Sequence, residues 1–234
     1  MPHWPDRQFY GDQMATLQKS CDFLKDPRFK FAFYSNADNE FDQQPAWRLH
    51  TLCWAAKHAL KLPGDFVECG VYTGFMSNVV ADFVDFSARD KTFYLYDTFS
   101  GFDDRYSSAN DFHLPGFYNF IQEQYTRPNL YDEVVARFKP YQNIKVLRGA
   151  VPDVLAEDSP TSISYLHIDM NSPAAEVAAL DVLFDRVVPG GLIILDDYGW
   201  AMFHKQKEAE DQWFADRGYM AMELPTGQGL VIKR

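Results

Sequence analysis

Cysteine is scarce in this 234-residue chain: Cys21, Cys53 and Cys69 are an odd number, and no two stand as a CxxC pair. That excludes a disulfide framework and a cysteine-based zinc site, and leaves reduced, buried thiols. Positive charge is also in short supply, with 22 Lys and Arg against 33 Asp and Glu and a formal net charge of −11. Such a surface repels phosphate backbones and anionic lipid, so neither nucleic acid nor a membrane is an expected partner. No apolar run approaches the roughly 20 residues of a membrane helix. The opening Met1-Pro2-His3-Trp4-Pro5-Asp6 has neither the basic nor the apolar segment of a secretory signal, and the expectation is a soluble, cytoplasmic protein. Internal repeats and low-complexity tracts are absent. What remains is a protein that handles a small neutral or cationic ligand.

The hydrophobic share, 47%, and the aromatic share, 16%, suffice for one large buried core, and the length suits one domain. Residues 1–44 are aromatic-rich but irregular, with Pro2, Pro5, Pro27 and a polar run from Ser35 to Glu40. They read as an N-terminal extension with one or two short helices, covering the domain or making a homodimer contact. Residues 45–234 read as the main domain. Between Gln44 and Leu62, Leu49, Leu52, Cys53, Ala56 and Leu60 recur at helical spacing until Pro63-Gly64 stops the helix. Strand candidates follow at Asp65–Cys69, Thr92–Asp97, Ile144–Arg148, Ser162–Asp169 and Gly191–Asp196. Helix candidates alternate with them at Phe75–Phe86, Leu130–Phe138, Pro173–Val188 and Phe203–Arg217. This alternation predicts a doubly wound α/β fold with right-handed crossovers. The tail differs, since Gly218–Glu223 and Gly229–Lys233 flank a turn-rich connection and read as a closing hairpin. The sum is a Rossmann-like, mostly parallel seven-stranded sheet ending in an antiparallel hairpin, the order of class I methyltransferases. Nicotinamide-binding folds continue instead with another parallel unit. The long irregular stretch from Thr98 to about Asn129 is expected to be an active-site insertion.

Three places along this pattern carry chemistry. In Glu68-Cys69-Gly70-Val71-Tyr72-Thr73-Gly74 a strand ends in an acid and a glycine, and a second glycine opens a helix. Gly70 admits a ligand close to the main chain, and the amides at the helix start can hold a carboxylate. The spacing is G-x-x-x-G rather than the dinucleotide G-x-G-x-x-G, which counts against a nicotinamide cofactor. Asp97 closes the second strand before Thr98-Phe99-Ser100-Gly101, well placed to accept hydrogen bonds from two ribose hydroxyls. Gly149 and Ala150 follow the third strand and would line an adenine site. The strongest signal comes last: strand four ends at Asp169 and strand five at Asp196-Asp197. Ligands of open α/β sheets bind at the carboxyl ends of the strands, so these three acids converge there. Collected carboxylates repel one another unless a cation sits among them, and hard oxygen donors suit Mg²⁺. His113, inside the insertion, is a candidate general base, and His167 reads as a hydrogen-bonded core histidine.

At this point the chain resembles the macrocin O-methyltransferase family, which methylates sugar hydroxyls. The matching pieces run in order over roughly residues 45–234: Pro63 to Val71, Tyr96-Asp97-Thr98-Phe99-Ser100-Gly101, His167-Ile168-Asp169, Pro189-Gly190-Gly191, Asp196-Asp197-Tyr198 and Pro225-Thr226-Gly227-Gln228-Gly229. The resemblance implies S-adenosylmethionine at the turn formed by Glu68, Gly70, Val71, Tyr72 and Gly74, with Asp97, Ser100, Gly149, Ala150 and Asp169 completing its site. It implies Mg²⁺ or another divalent cation at Asp169, Asp196 and Asp197. One departure stands out. Family members carry an acid two residues after the first metal aspartate and use it as base; here that place is Asn171, which cannot take a proton at neutral pH. The expected function is therefore O-methyl transfer to a small molecule, a sugar or glycoside, with Asp169 or His113 moving the proton. Two other classes compete: a catalytically silent binding subunit that kept the fold, for which Asn171 speaks, and a nicotinamide-dependent oxidoreductase.

Overall fold

A computed structural model describes residues 8–234; the Met1–Asp6 opening with Pro2 and Pro5 lies outside the described residues. Its centre is a seven-stranded sheet. Strands β3 (Asp65–Cys69), β4 (Phe93–Asp97), β5 (Ile144–Arg148), β6 (Ile163–Ile168) and β7 (Val187–Leu195) are parallel, and β8 (Met222–Glu223) and β9 (Gly229–Ile232) close the edge. The spatial order is β5-β4-β3-β6-β7-β9-β8, with β9 antiparallel to both neighbours. Every residue of β6 is buried, as a central parallel strand with helices on both faces requires. The order reverses between β3 and β6, and a ligand crevice forms at that switch point.

Alternate residues of the strands feed two cores. On one face Phe66, Phe93, Leu95, Tyr165 and Ile194 pack against α1 (Pro27–Asn36), α2 (Ala46–Ala59), α3 (Phe75–Phe83) and α5 (Leu130–Phe138). On the other, Val67, Tyr96, Leu166 and Ile193 meet α6 (Pro173–Leu183) and α7 (His204–Ala215). Local chemistry sets the helix starts. Asp26 caps α1 by accepting from the amides of Arg28 and Phe29, and Ser172 caps α6 by accepting from Ala175, each with a proline at the first helical position.

The expected class I architecture is present, with differences in detail. The region before residue 44 holds more than short helices. A hairpin of β1 (Gln8–Gly11) and β2 (Met14–Leu17) precedes α1, whose Phe29, Ala32 and Phe33 enter the same core as α2 and α3. The loop after β4 contains its own helix, α4 (Phe117–Tyr125). Strand β7 begins at Val187 rather than Gly191, because a shift in its pairing with β6 absorbs Pro189-Gly190-Gly191, which reads locally as a turn. Among the described residues no helix is long and apolar enough to cross a membrane.

Candidate active site

Gly70 sets the geometry at the end of β3. Its φ is +90°, and a Cβ there would stand 1.8 Å from the carbonyl oxygen of Asp169, so only glycine lets the ends of β3 and β6 come together. The next two amides, of Val71 and Tyr72, donate to Asp97 Oδ2 at 2.7 and 2.8 Å, and the Phe99 amide donates to Oδ1 at 2.6 Å. Asp97 therefore ties the β3 and β4 loops together. Its expected role of receiving ribose hydroxyls would have to be shared with these backbone donors.

Beside this turn lies a cleft enclosing about 830 Å³, counting its solvent-open mouth. Of the residues singled out from the sequence, Gly70, Tyr72, Asp97, Gly149, Ala150 and Asp169 line it. The others stand around it. Val71 is buried behind the turn, and Gly74 opens α3 against the Phe138 ring. Ser100 is exposed and hydrogen-bonded within its own loop to Thr98. His113 is exposed, edge-on to His204 with ring centroids 5.4 Å apart, and is not among the lining residues. Glu68 lies beneath the cleft, accepting from Ser77 Oγ at 2.7 Å and facing His167 Nδ1 at 3.6 Å.

Below the cleft the acids meet. His167, Asp169 and Asp196 each offer an atom within 4.8 Å of the others. His167 Nε2 lies 3.4 Å from Asp196 Oδ1, which also accepts from Gln228 Nε2 at 2.8 Å. Burial works against charge on His167, yet Asp196 and Glu68 on its two sides push its pKa well above the ordinary value. Burial likewise works against charge on Asp196, but Arg48, His167 and Gln228 hold its pKa below the usual carboxylate range. Asp197 is pushed up to about 7 by burial, with Asp196 adding to the rise and Arg48 opposing it. Asp169 is raised well above its ordinary value by burial and by its two acidic neighbours. Its carboxylate accepts no hydrogen bond from a described residue. The carboxylates of Asp169, Asp196 and Asp197 are hard oxygen donors of the kind that suits a divalent cation, although Arg48 and His167 lie against them here.

Several residues of the site escaped the sequence reading, although Tyr125 is one of the insertion's aromatics, with Phe112, Phe117, Tyr118 and Phe120, that read equally as lining a substrate slot or packing the insertion. Arg48 of α2 pairs with Asp196 and Asp197, and Asp12 of the N-terminal hairpin pairs with Arg48. Tyr125, the last residue of α4, lines the cleft and accepts from Asn171 Nδ2 at 3.1 Å. Burial and then Asp169 push its phenol well above the ordinary pKa. Glu176 Oε1 accepts from the amides of Met170 and Asn171, fixing the loop after β6, where Asn171 has φ +55°. Gln228, which donates to Asp196, lies in a motif that the sequence reading quoted. Asp12, Arg48 and Glu176 come from distant stretches with no common pattern.

Residues 46–221 match the family model described as macrocin-O-methyltransferase (TylF). The chain belongs to that family. A curated relative, mycinamicin III 3''-O-methyltransferase of Micromonospora griseorubida, is 29% identical over 172 residues, covering 64% of this chain and 62% of the relative. The chain thus matches less than two thirds of that protein's length. Among solved structures, the O-methyltransferase NovP superposes with a TM-score of 0.66 at 22% identity, covering 80% of this chain and 79% of its own. A calicheamicin methyltransferase superposes at 0.64 and 15% identity, covering 92% and 94%. These likenesses establish the class I methyltransferase fold for this member of the macrocin-O-methyltransferase family.

Proposed function

We propose that this family member is an O-methyltransferase that moves a methyl group from S-adenosylmethionine to a hydroxyl of a small sugar or glycoside, in the cytoplasm, with a divalent cation such as Mg²⁺. One observation carries the reading: Asp169 lines the cleft at the carboxyl edge of the sheet and also belongs to the acid cluster. Donor and cation would then lie side by side. The family match and the O-methyltransferase name of the curated relative support the choice of chemistry.

S-adenosylmethionine, when bound, supplies a methyl group on a sulfonium sulfur whose departure needs no acid. Gly70, Tyr72, Gly149 and Ala150 shape the cleft for it, and Asp97 holds the two loops that enclose it. A cation at Asp169, Asp196 and Asp197 would lower the pKa of an acceptor hydroxyl. The task left to the protein is orientation, which contributes on the order of 7–11 kcal/mol in well-aligned reactions. Asp169, which lines the cleft and whose carboxylate accepts no hydrogen bond from a described residue, is the group that would take the acceptor's proton. Asn171 cannot do so and is held by Tyr125. Glu68 acts at one remove, by facing the histidine that pairs with Asp196.

The test is a calorimetric titration with S-adenosylhomocysteine, followed by radiolabelled methyl transfer to a panel of nucleotide sugars and glycosides with and without chelator. Asp197→Ala is expected to abolish metal-dependent turnover, by at least about 100-fold, while changing S-adenosylhomocysteine affinity by less than about threefold. Full activity in excess chelator would remove the metal from the reaction. Cofactor binding without transfer to any acceptor would favour a silent binding subunit, and NAD(H) binding in its place would end the reading.

A further inference from the structure

The acid cluster already contains a cation that belongs to the chain. Arg48, in the first turn of α2, uses all three of its nitrogens there. Nε and Nη2 donate to the two oxygens of Asp12 at 2.7 and 3.1 Å, and Nη1 donates to Asp196 Oδ2 and, at 3.2 Å, to Asp197 Oδ1. The Trp200 ring lies 5.5 Å from the guanidinium carbon. The side chains of Arg48 and Asp12 are each only 14% exposed. Asp12 stands at the tip of the β1–β2 hairpin, in a two-residue turn where it and Gln13 both take left-handed φ values, 52° and 55°. One ion cluster therefore links the N-terminal hairpin, α2 and the end of β7.

A divalent cation on Asp169, Asp196 and Asp197 needs carboxylate oxygens that Arg48 now holds, and two cations on the same oxygens repel strongly in a site shielded from water. We propose that Arg48 and a divalent cation are alternative occupants of this cluster, and that Asp12 couples the N-terminal hairpin to which of them is bound. The inference rests on the metal reading above. With Arg48 in place, its charge screens Asp196 from Asp197 and allows three acids to stay together. When the metal enters, Nη1 loses both partners while the two-pronged pairing with Asp12 persists. The guanidinium then moves aside together with the hairpin tip. Residues 8–17, which carry Asp12, lie outside the segment matched by the family model.

The experiment uses the full chain saturated with S-adenosylhomocysteine. Mn²⁺ is titrated with the free ion followed by electron paramagnetic resonance, in the wild type and in Arg48→Met. Loss of the competing charge is expected to tighten Mn²⁺ binding by at least about tenfold. In the wild type, saturating Mg²⁺ is expected to speed amide exchange of residues 8–17 several-fold without changing that of β3 and β6. Equal or weaker Mn²⁺ binding by an Arg48→Met protein with wild-type circular dichroism would overturn the proposal, as would hairpin exchange that ignores Mg²⁺. Should Arg48→Met fail to fold, Arg48→Lys retains a cation that cannot span Asp12 and Asp196 together, and must still bind Mn²⁺ more tightly than wild type. Absence of Mn²⁺ binding from every form would overturn the metal reading and this inference with it. S-adenosylhomocysteine affinity, measured separately, keeps a failure of the donor reading distinguishable.

Discussion

Glu176 and Glu210 are fully buried side by side, and neither oxygen of Glu210 has a donor among the described residues. Two carboxyl groups so placed are satisfied only when a proton resides between them. Burial first, and then their proximity, push Glu210 well above its ordinary pKa, and burial raises Glu176 as well. The folded protein thus holds proton that the unfolded chain releases above about pH 4. Stability from this pair is complete below that pH and is lost as pH rises through the raised values. Glu210→Gln supplies a permanent donor. Chemical denaturation from pH 6 to 9 should find its stability advantage over wild type growing by up to ~1.4 kcal/mol per pH unit; a pH-independent difference would refute the shared proton. At Gly70 the issue is steric. A Cβ would strike the Asp169 carbonyl, and the left-handed backbone disfavours any side chain, so Gly70→Ala should cost more than ~3 kcal/mol and abolish S-adenosylhomocysteine binding. A variant with wild-type melting would show that the two strand ends can part freely.

Among the elements, α1 was the hardest to place from sequence. Its sequence, PRFKFAFYSN, has no sharp apolar face, and it falls in a stretch whose prolines and polar run suggest irregular chain. Its burial comes from a surface supplied elsewhere: Phe29 and Phe33 stack on each other with ring centroids 5.6 Å apart, and Phe33 meets Phe75 of α3 at 6.2 Å. The region thus continues the core, and Phe33→Ala should cost ~3–5 kcal/mol in urea unfolding. A loss below ~1 kcal/mol would mean that α1 is only an attached cover. The central strands pose the opposite case. Their continuous apolar runs, each ending in Gly or Asp, are legible because a parallel strand covered on both faces needs apolar residues throughout. Helix α4 is intermediate, since its aromatic residues could equally line a slot or pack the insertion. Only the docking of Phe102 and Tyr72 on Tyr125 settles that it does both.

For the whole molecule, the fold places a ligand where the chain's own elements converge, so occupancy should be felt globally. S-adenosylhomocysteine at about 100 times its Kd should stabilise the native state by ~2.7 kcal/mol. At ~2–4 °C per kcal/mol for a domain of this size, melting should rise by ~5–10 °C, with no rise from NAD(H); the reverse pattern would reject the assignment. From sequence alone, alternating strands and helices and the strand-end aspartates determined the mostly parallel sheet with its closing hairpin and three members of the acid cluster. These are local patterns, set by the period of each element and by the carboxyl-edge rule. The cation among those acids was decided only by the tertiary structure. Arg48 and Asp12 are 36 residues apart, and Arg48 lies 148 residues from Asp196. Charge pairing acts through space, and no spacing along the chain encodes which distant groups the packing will bring within reach.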